Sequence, residues 1–164
     1  MYGYEWTEEN GIFRLTINAK IQKEIRPVFH EELDFFGMDQ YWDYPKDTTA
    51  PLLWAEGVRR YVLNGVCVAE AQGGGFYTKP TINRLTEERL KLVPIDTDRL
   101  YEVNRQIMLS LEQKAVQFIQ TQYEHYLPLG FSFVCAFSGG KDSLVLLDLM
   151  TKALAPKDYY VVFS

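Results

Sequence analysis

The run Phe131–Met150, FSFVCAFSGGKDSLVLLDLM, constrains this chain more than any other stretch. Seven apolar-rich residues, Phe131 to Phe137, meet the polar loop Ser138-Gly139-Gly140-Lys141-Asp142-Ser143, and a second apolar run follows. The pattern predicts a strand, a glycine turn and a helix. A helix opening on such a loop presents unpaired backbone N–H groups and a partial positive charge. Two glycines let anion oxygens approach the main chain closely, Lys141 adds a full charge, and Ser138 and Ser143 add hydroxyls. The loop therefore has the chemistry of a cradle for a pyrophosphate-like anion.

The spacing excludes two familiar phosphate loops. A P-loop needs glycine, four residues, then Gly-Lys-Ser/Thr. Here Cys135 stands at the first glycine position and Asp142 follows the lysine. A dinucleotide fingerprint needs a third glycine. A tight strand–helix turn with incidental polar residues is the plain alternative, but a buried turn does not favour Lys141 beside Asp142 without a ligand.

The flanking pattern sets the fold class. An all-apolar strand predicts a sheet covered by helices on both faces, and the helix over 143–154 is apolar nearly all round, as for a buried helix. Pro156-Lys157-Asp158 breaks it, and Tyr159–Phe163 reads as a second parallel strand. The expected architecture is α/β: one βαβ unit opening a Rossmann-like parallel sheet. Before it, Asp96, Thr97 and Asp98 offer helix caps. Leu100, Val103, Ile107, Leu111, Ala115, Phe118 and Ile119 repeat with helical spacing to about Tyr126, where Pro128 and Gly130 end the helix.

Residues 1–95 read as a β-hairpin-rich leader of α+β type, and 96–164 as the long helix with the nucleotide-binding unit. Tyr2, Tyr4 and Trp6 alternate, Glu9-Asn10-Gly11 turns, and Phe13, Leu15 and Ile17 alternate again. Pro27 biases Arg26 to extended backbone. His30–Phe36 predicts a short helix ending at Gly37, and Trp42 and Tyr44 are expected over the edge of a small core. A second hairpin turns at Asn64-Gly65, between Arg59–Leu63 and Val66–Glu70. Gly73-Gly74-Gly75 has no helix pattern after it and reads as a strand exit. Arg59 and Arg60 face opposite ways on a strand and make no single anion patch. Residues 81–97 are charged, contain Pro94, and read as a connection.

Composition bounds the partners. With 47% hydrophobic and 24% charged residues over 164 positions the chain is globular. A net charge of -5 does not favour a general nucleic-acid surface. The N-terminus lacks a signal-peptide pattern, and no apolar run reaches the ~20 residues of a membrane span, so a cytoplasmic location is expected. Cys67 and Cys135 read as reduced core cysteines without metal-ligand neighbours. His30-Glu31 lacks the second histidine of a zinc helix, since position 34 is Asp. No protein metal site is expected.

The loop residues Ser138–Ser143 resemble the PP-loop, SGGxDS, of the ATP pyrophosphatases in the adenine nucleotide α-hydrolase superfamily. The longer string CAFSGGKDSLVLLDL, followed by YYVVFS, is most similar to the phosphoadenosine phosphosulfate reductase-like branch. Tyr4-Glu5-Trp6, Arg26-Pro27-Val28-Phe29, Glu32-Leu33, Trp54-Ala55-Glu56 and Gly73-Gly74 are similar to a leader that precedes the PP-loop in some members. The resemblance implies ATP or an adenine sulfonucleotide bound through Ser138, Gly139, Gly140, Lys141, Asp142 and Ser143. It implies catalytic roles for Lys141, as the charge on a departing pyrophosphate, and for Asp142, which orients Lys141 or helps hold a Mg²⁺. Attack on the α-phosphorus would give an adenylated intermediate.

The family's sheet has about five strands and carries further catalytic residues after the second strand. The chain is therefore expected to be an N-terminal fragment, not competent alone, whose partners include the rest of its own domain. A non-catalytic nucleotide-binding module, a module that pairs through its second strand, as in a homodimer, and an ATP pyrophosphatase of tRNA or DNA sulfur modification stay open beside the reductase-like reading.

Overall fold

The computed structural model describes residues 2–17, 20, 21, 23–57, 59–75 and 77–163. The chain forms two compact units, Met1–Arg105 and Gln106–Ser164.

The first unit opens with the predicted hairpin. Strand β1 (Tyr2–Trp6) pairs antiparallel with β2 (Phe13–Ile17), in a register that sets Trp6 against Phe13. Gly11 takes the left-handed conformation at φ 66° that the turn needs. A five-stranded antiparallel sheet follows in spatial order β3 (Ile25–Val28), β4 (Leu53–Glu56), β5 (Arg60–Leu63), β6 (Val66–Gln72) and β7 (Thr81–Arg84). Between β3 and β4 lies the short helix α1 (His30–Phe35), closed by Gly37 at φ 68° as the sequence leads one to expect. Asn64 (φ 49°) and Gly65 (φ 83°) make the β5–β6 turn, and β6 ends at the left-handed Gly73 and Gly74.

The core of this unit reaches further than the sequence suggests. Trp42 does not cover the core edge: it is 1% exposed, in the same cluster as Leu33, Leu52, Leu53 and Tyr61. Residues 81–97 are not merely a connection. Thr81–Arg84 is the fifth strand, and Leu92 and Ile95 are core side chains. A four-residue edge strand alternates only once, too briefly to announce itself by periodicity.

Helix α2 (Thr97–Tyr126) is opened by Asp96, whose Oδ1 accepts the Arg99 N–H at 2.8 Å. The division between the units falls inside α2, after Arg105. Its first turns belong to the first unit through Asn104, which is 3% exposed. Asn104 Nδ2 donates to the carbonyls of Phe13 (2.8 Å) and Leu100 (2.9 Å), and Oδ1 accepts the Leu15 N–H at 2.6 Å.

In the second unit, strand β8 (Val134–Phe137) leads to helix α3 (Lys141–Ala153), which returns to strand β9 (Tyr160–Phe163). β8 and β9 are parallel, with Val134 opposite Tyr160 and Phe137 opposite Phe163. The core is small: Ile119, Cys135 and Met150, flanked by Phe133, Leu147, Leu149 and Tyr159. The chain is thus mixed α/β with mostly antiparallel strands. Among the described residues the parallel sheet has two strands, β8 and β9 around α3, which is the single βαβ unit expected; no larger Rossmann-like sheet is formed among them.

Burial also departs from expectation. The all-apolar run predicts a strand covered on both faces, yet Cys135 is buried while Val134 is 57% exposed. Helix α3 is not buried all round: Leu144 and Val145 are each 59% exposed. With two strands and one long helix to pack on, only one side of each element finds a partner. No helix among the described residues is long and apolar enough to cross a membrane.

Candidate functional site

The loop Ser138–Ser143 sits where the sequence puts it, between the carboxyl end of β8 and the first turn of α3. Gly139 is left-handed at φ 78°, and a Cβ built there would meet no atom within 4 Å. The glycine thus turns the chain and leaves open space over its Cα. Gly140 is the N-cap of α3 in extended conformation, with no side-chain cap. The first helical hydrogen bond runs from Leu144 N–H to the Gly140 carbonyl at 3.0 Å. The amides of Asp142 and Ser143 lie ahead of that bond, where a helix offers donors to an anion.

The two serines act together. Ser138 Oγ donates to Ser143 Oγ at 3.3 Å, and Ser143 Oγ donates to the Gly140 carbonyl at 2.9 Å. The hydroxyls therefore brace the loop instead of projecting as donors at either end. All six residues share one surface: Ser143 is half-buried and the others are exposed. Lys141 opens the helix with Asp142 beside it. The loop supplies one carboxylate, and among the described residues no group of three or more His, Cys, Asp or Glu could hold a metal ion. One carboxylate suits a Mg²⁺ whose remaining ligands are phosphate oxygens and water.

One neighbour of the loop was not read from the sequence. The parallel register brings Phe163 beside Phe137, with ring centroids 6.1 Å apart, at the strand ends that face the loop. Phe163 is 76% exposed. Only the pairing of β8 with β9 reveals this, because the two residues are far apart in the chain.

The cysteines differ. Cys135 is 1% exposed inside β8, as expected of a core thiol. Cys67 is half-buried and not a core residue; its Sγ lies 3.5 Å from the Ala69 carbonyl and 3.9 Å from Glu70 Oε1.

Several charged groups of the first unit pair with one another. Arg26 grips Glu32 with both terminal nitrogens, at 2.6 and 2.7 Å, and Tyr61 Oη donates to Glu32 Oε1 at 2.6 Å. Burial alone would push the Glu32 carboxyl up; the hydrogen bonds from Arg26 and Tyr61 outweigh it and hold the group below its ordinary range. Burial, then the bond to Glu32, pushes the Tyr61 phenol up. Arg60 pairs with Glu56 and Glu70, while Arg59 Nη1 donates to the Gly73 carbonyl, so the two arginines diverge as the strand requires. His30 contacts Glu31 and Asp34 at 3.5 and 3.8 Å.

No protein-family model, no curated protein and no solved structure matches this chain.

Proposed function

We propose that this chain binds an adenine nucleotide, ATP or a sulfonucleotide, through Ser138–Ser143, as a PP-loop protein of the phosphoadenosine phosphosulfate reductase-like kind. The observation that carries the reading is the glycine turn itself. Gly139 is left-handed with empty space above it, directly before an uncapped helix N-terminus that opens on Lys141. Phosphate oxygens fit where a Cβ would stand, and the amides of Asp142 and Ser143 point the helix dipole at them. The β8–α3–β9 unit is then the opening of a Rossmann-like sheet of the adenine nucleotide α-hydrolase type. The exposed Phe163 ring beside Phe137 offers a face for the adenine to stack on.

Within this site Lys141 neutralises the negative charge that grows on pyrophosphate when a nucleophile attacks the α-phosphorus of ATP. Asp142 orients Lys141 or ligates a Mg²⁺ brought in on the phosphates. Ser143 and Ser138 keep the loop in shape. Reductase chemistry needs a nucleophilic thiol, and Cys135 is sealed in its strand. That burial favours ATP binding and α-phosphate chemistry over sulfonucleotide reduction by Cys135. Its range includes an ATP pyrophosphatase of tRNA or DNA sulfur modification.

The test is titration calorimetry of the chain with ATP, ADP and phosphoadenosine phosphosulfate, with and without Mg²⁺, beside Lys141→Ala. ATP binding that weakens at least about tenfold in the variant supports the reading. Equal binding in both proteins would sink it. Pyrophosphate release from ATP then separates an enzyme from a binding module.

A further inference from the structure

A groove of about 640 Å³ in the first unit is lined by Lys79, Pro80, Thr81, Ile82, Asn83 and Arg84 on one side. Phe36, Gly37, Gln40 and Tyr41 form the other side. Consecutive strand residues point to opposite faces of a sheet. A groove touched by all of Thr81–Arg84 therefore runs along the free edge of β7 and not over a face.

The register says which backbone groups face that groove. Leu85 N–H donates to the Val68 carbonyl at 2.9 Å, which makes Val68 and Leu85 a hydrogen-bonded pair. Such pairs alternate along an antiparallel ladder. Glu70 with Asn83 is then bonded too, while Ala69 with Arg84 and Ala71 with Ile82 are not. The N–H and C=O groups of Ile82 and Arg84 thus point outward, and no described strand pairs with that side of β7.

The opposite edge of the same sheet differs. Gly57 N–H bonds the Glu24 carbonyl at 2.7 Å, which leaves Ile25 and Pro27 as the outward residues of β3. Proline has no N–H to donate, so that edge is blunted.

Two cations line this groove, each resting on an aromatic ring. Lys79 Nζ lies 4.4 Å from the centroid of the Phe35 ring, and Arg84 Cζ lies 3.9 Å from that of Tyr41. The two cations stand at either end of the edge, five residues apart, about 16 Å of extended chain. Glu87, 98% exposed and 3.8 Å from Arg84, is the one acidic side chain on the groove among the described residues.

We propose that the β7 edge is a docking site for an extended, acidic peptide segment of a partner protein, which adds as a sixth strand against Ile82 and Arg84. Its backbone satisfies the outward N–H and C=O groups, and its carboxylates meet Lys79 and Arg84. A peptide fits better than a nucleic acid strand, because only a peptide repeats donor and acceptor at the spacing of a β edge. This site is independent of the nucleotide loop.

The probe is a short, end-capped, fluorescein-labelled peptide alternating Glu with Val and Thr. Anisotropy with the chain is read beside a backbone N-methylated copy, a Lys-for-Glu copy and an oligothymidylate. The acidic peptide should bind and slow hydrogen exchange at the amides of Ile82 and Arg84. Thr81 and Asn83, turned toward β6, should change little. N-methylation and the Lys-for-Glu exchange should each abolish binding. Lys79→Ala should weaken it severalfold with Lys79→Arg restoring it, and Lys141→Ala should leave it unchanged. Equal binding of the N-methylated copy, no protection at Ile82 and Arg84, or binding of the oligothymidylate in place of the peptide would each overturn the proposal.

Discussion

Trp54 donates its indole N–H to the Gly11 carbonyl at 2.7 Å, and a Cβ on Gly11 would lie 2.6 Å from Ile95 Cγ1. A strand of the large sheet thus holds the turn of the first hairpin, while the segment before α2 closes over it. Gly11→Ala adds left-handed strain to a collision with a buried side chain and should cost at least about 2 kcal/mol. Trp54→Phe keeps most of the apolar surface but orphans the Gly11 carbonyl, and should cost about 1–3 kcal/mol. Urea denaturation of the two variants checks both values.

The glycines of the loop separate folding from binding. Gly139→Ala places a residue at φ 78° and should lower stability by about 1–2 kcal/mol. Gly140 has a negative φ, and a Cβ there meets Ser138 Oγ at an ordinary 3.6 Å. Gly140→Ala should therefore leave the melting temperature nearly unchanged. On the proposed function both variants weaken ATP binding about tenfold or more, because a methyl group occupies the anion's approach. Calorimetry and thermal melts on the same samples distinguish the two effects.

Asn104 is a buried tie between the first turns of α2 and the first hairpin. Asn104→Ala leaves the Leu15 N–H and the Phe13 carbonyl without their partner and should destabilise by about 2–4 kcal/mol. Amide exchange at Leu15 should rise with it, a change that a general loss of packing would not confine to that residue.

Acid should loosen the first unit through Glu32. Its carboxyl titrates below the ordinary 4.5 in the folded chain. A depressed carboxyl contributes stability above its unfolded pKa, and that contribution is lost as pH falls through the folded value. The urea midpoint should hold steady near neutral pH and drop below about 4.5. Glu32→Gln should flatten much of that drop. Glu9, Asp34 and Asp43 are lowered as well, by Arg99, Lys46 and Arg89 in that order, but these exposed pairs add little.

The two units should not melt alike. The first buries Val28, Leu33, Leu52, Leu53 and Ala55 completely, while every residue of β9 is exposed. Exposed Leu144, Val145, Val161 and Phe163 should bind a hydrophobic dye in the native state, and charged substitutions at Val145 and Val161 should reduce the signal.

Local signals carried much of the fold. Asn64-Gly65, the Gly37 stop and the Asp96 cap are short-range chemistry, and each element boundary they imply is where the chain turns. What depends on a partner distant in sequence was not legible. β7 exists because β6 offers it an edge. Trp42 lies deep because the sheet and α1 close around it. The brace from Ser138 through Ser143 to Gly140, and the pairing of Phe137 with Phe163, appear only once strand and helix are set side by side. The apolar run Phe131–Phe137 indicated a covered strand, but coverage belongs to neighbours and cannot be read from the run itself.

Pro27 has a consequence for stoichiometry. A sheet with two open edges can grow copy upon copy into a fibre, whereas the sheet of the first unit is closed on the proline side and open at β7. Two copies that met edge to edge at Ile82 and Arg84 would leave only their proline-bearing edges outward and would stop at a pair.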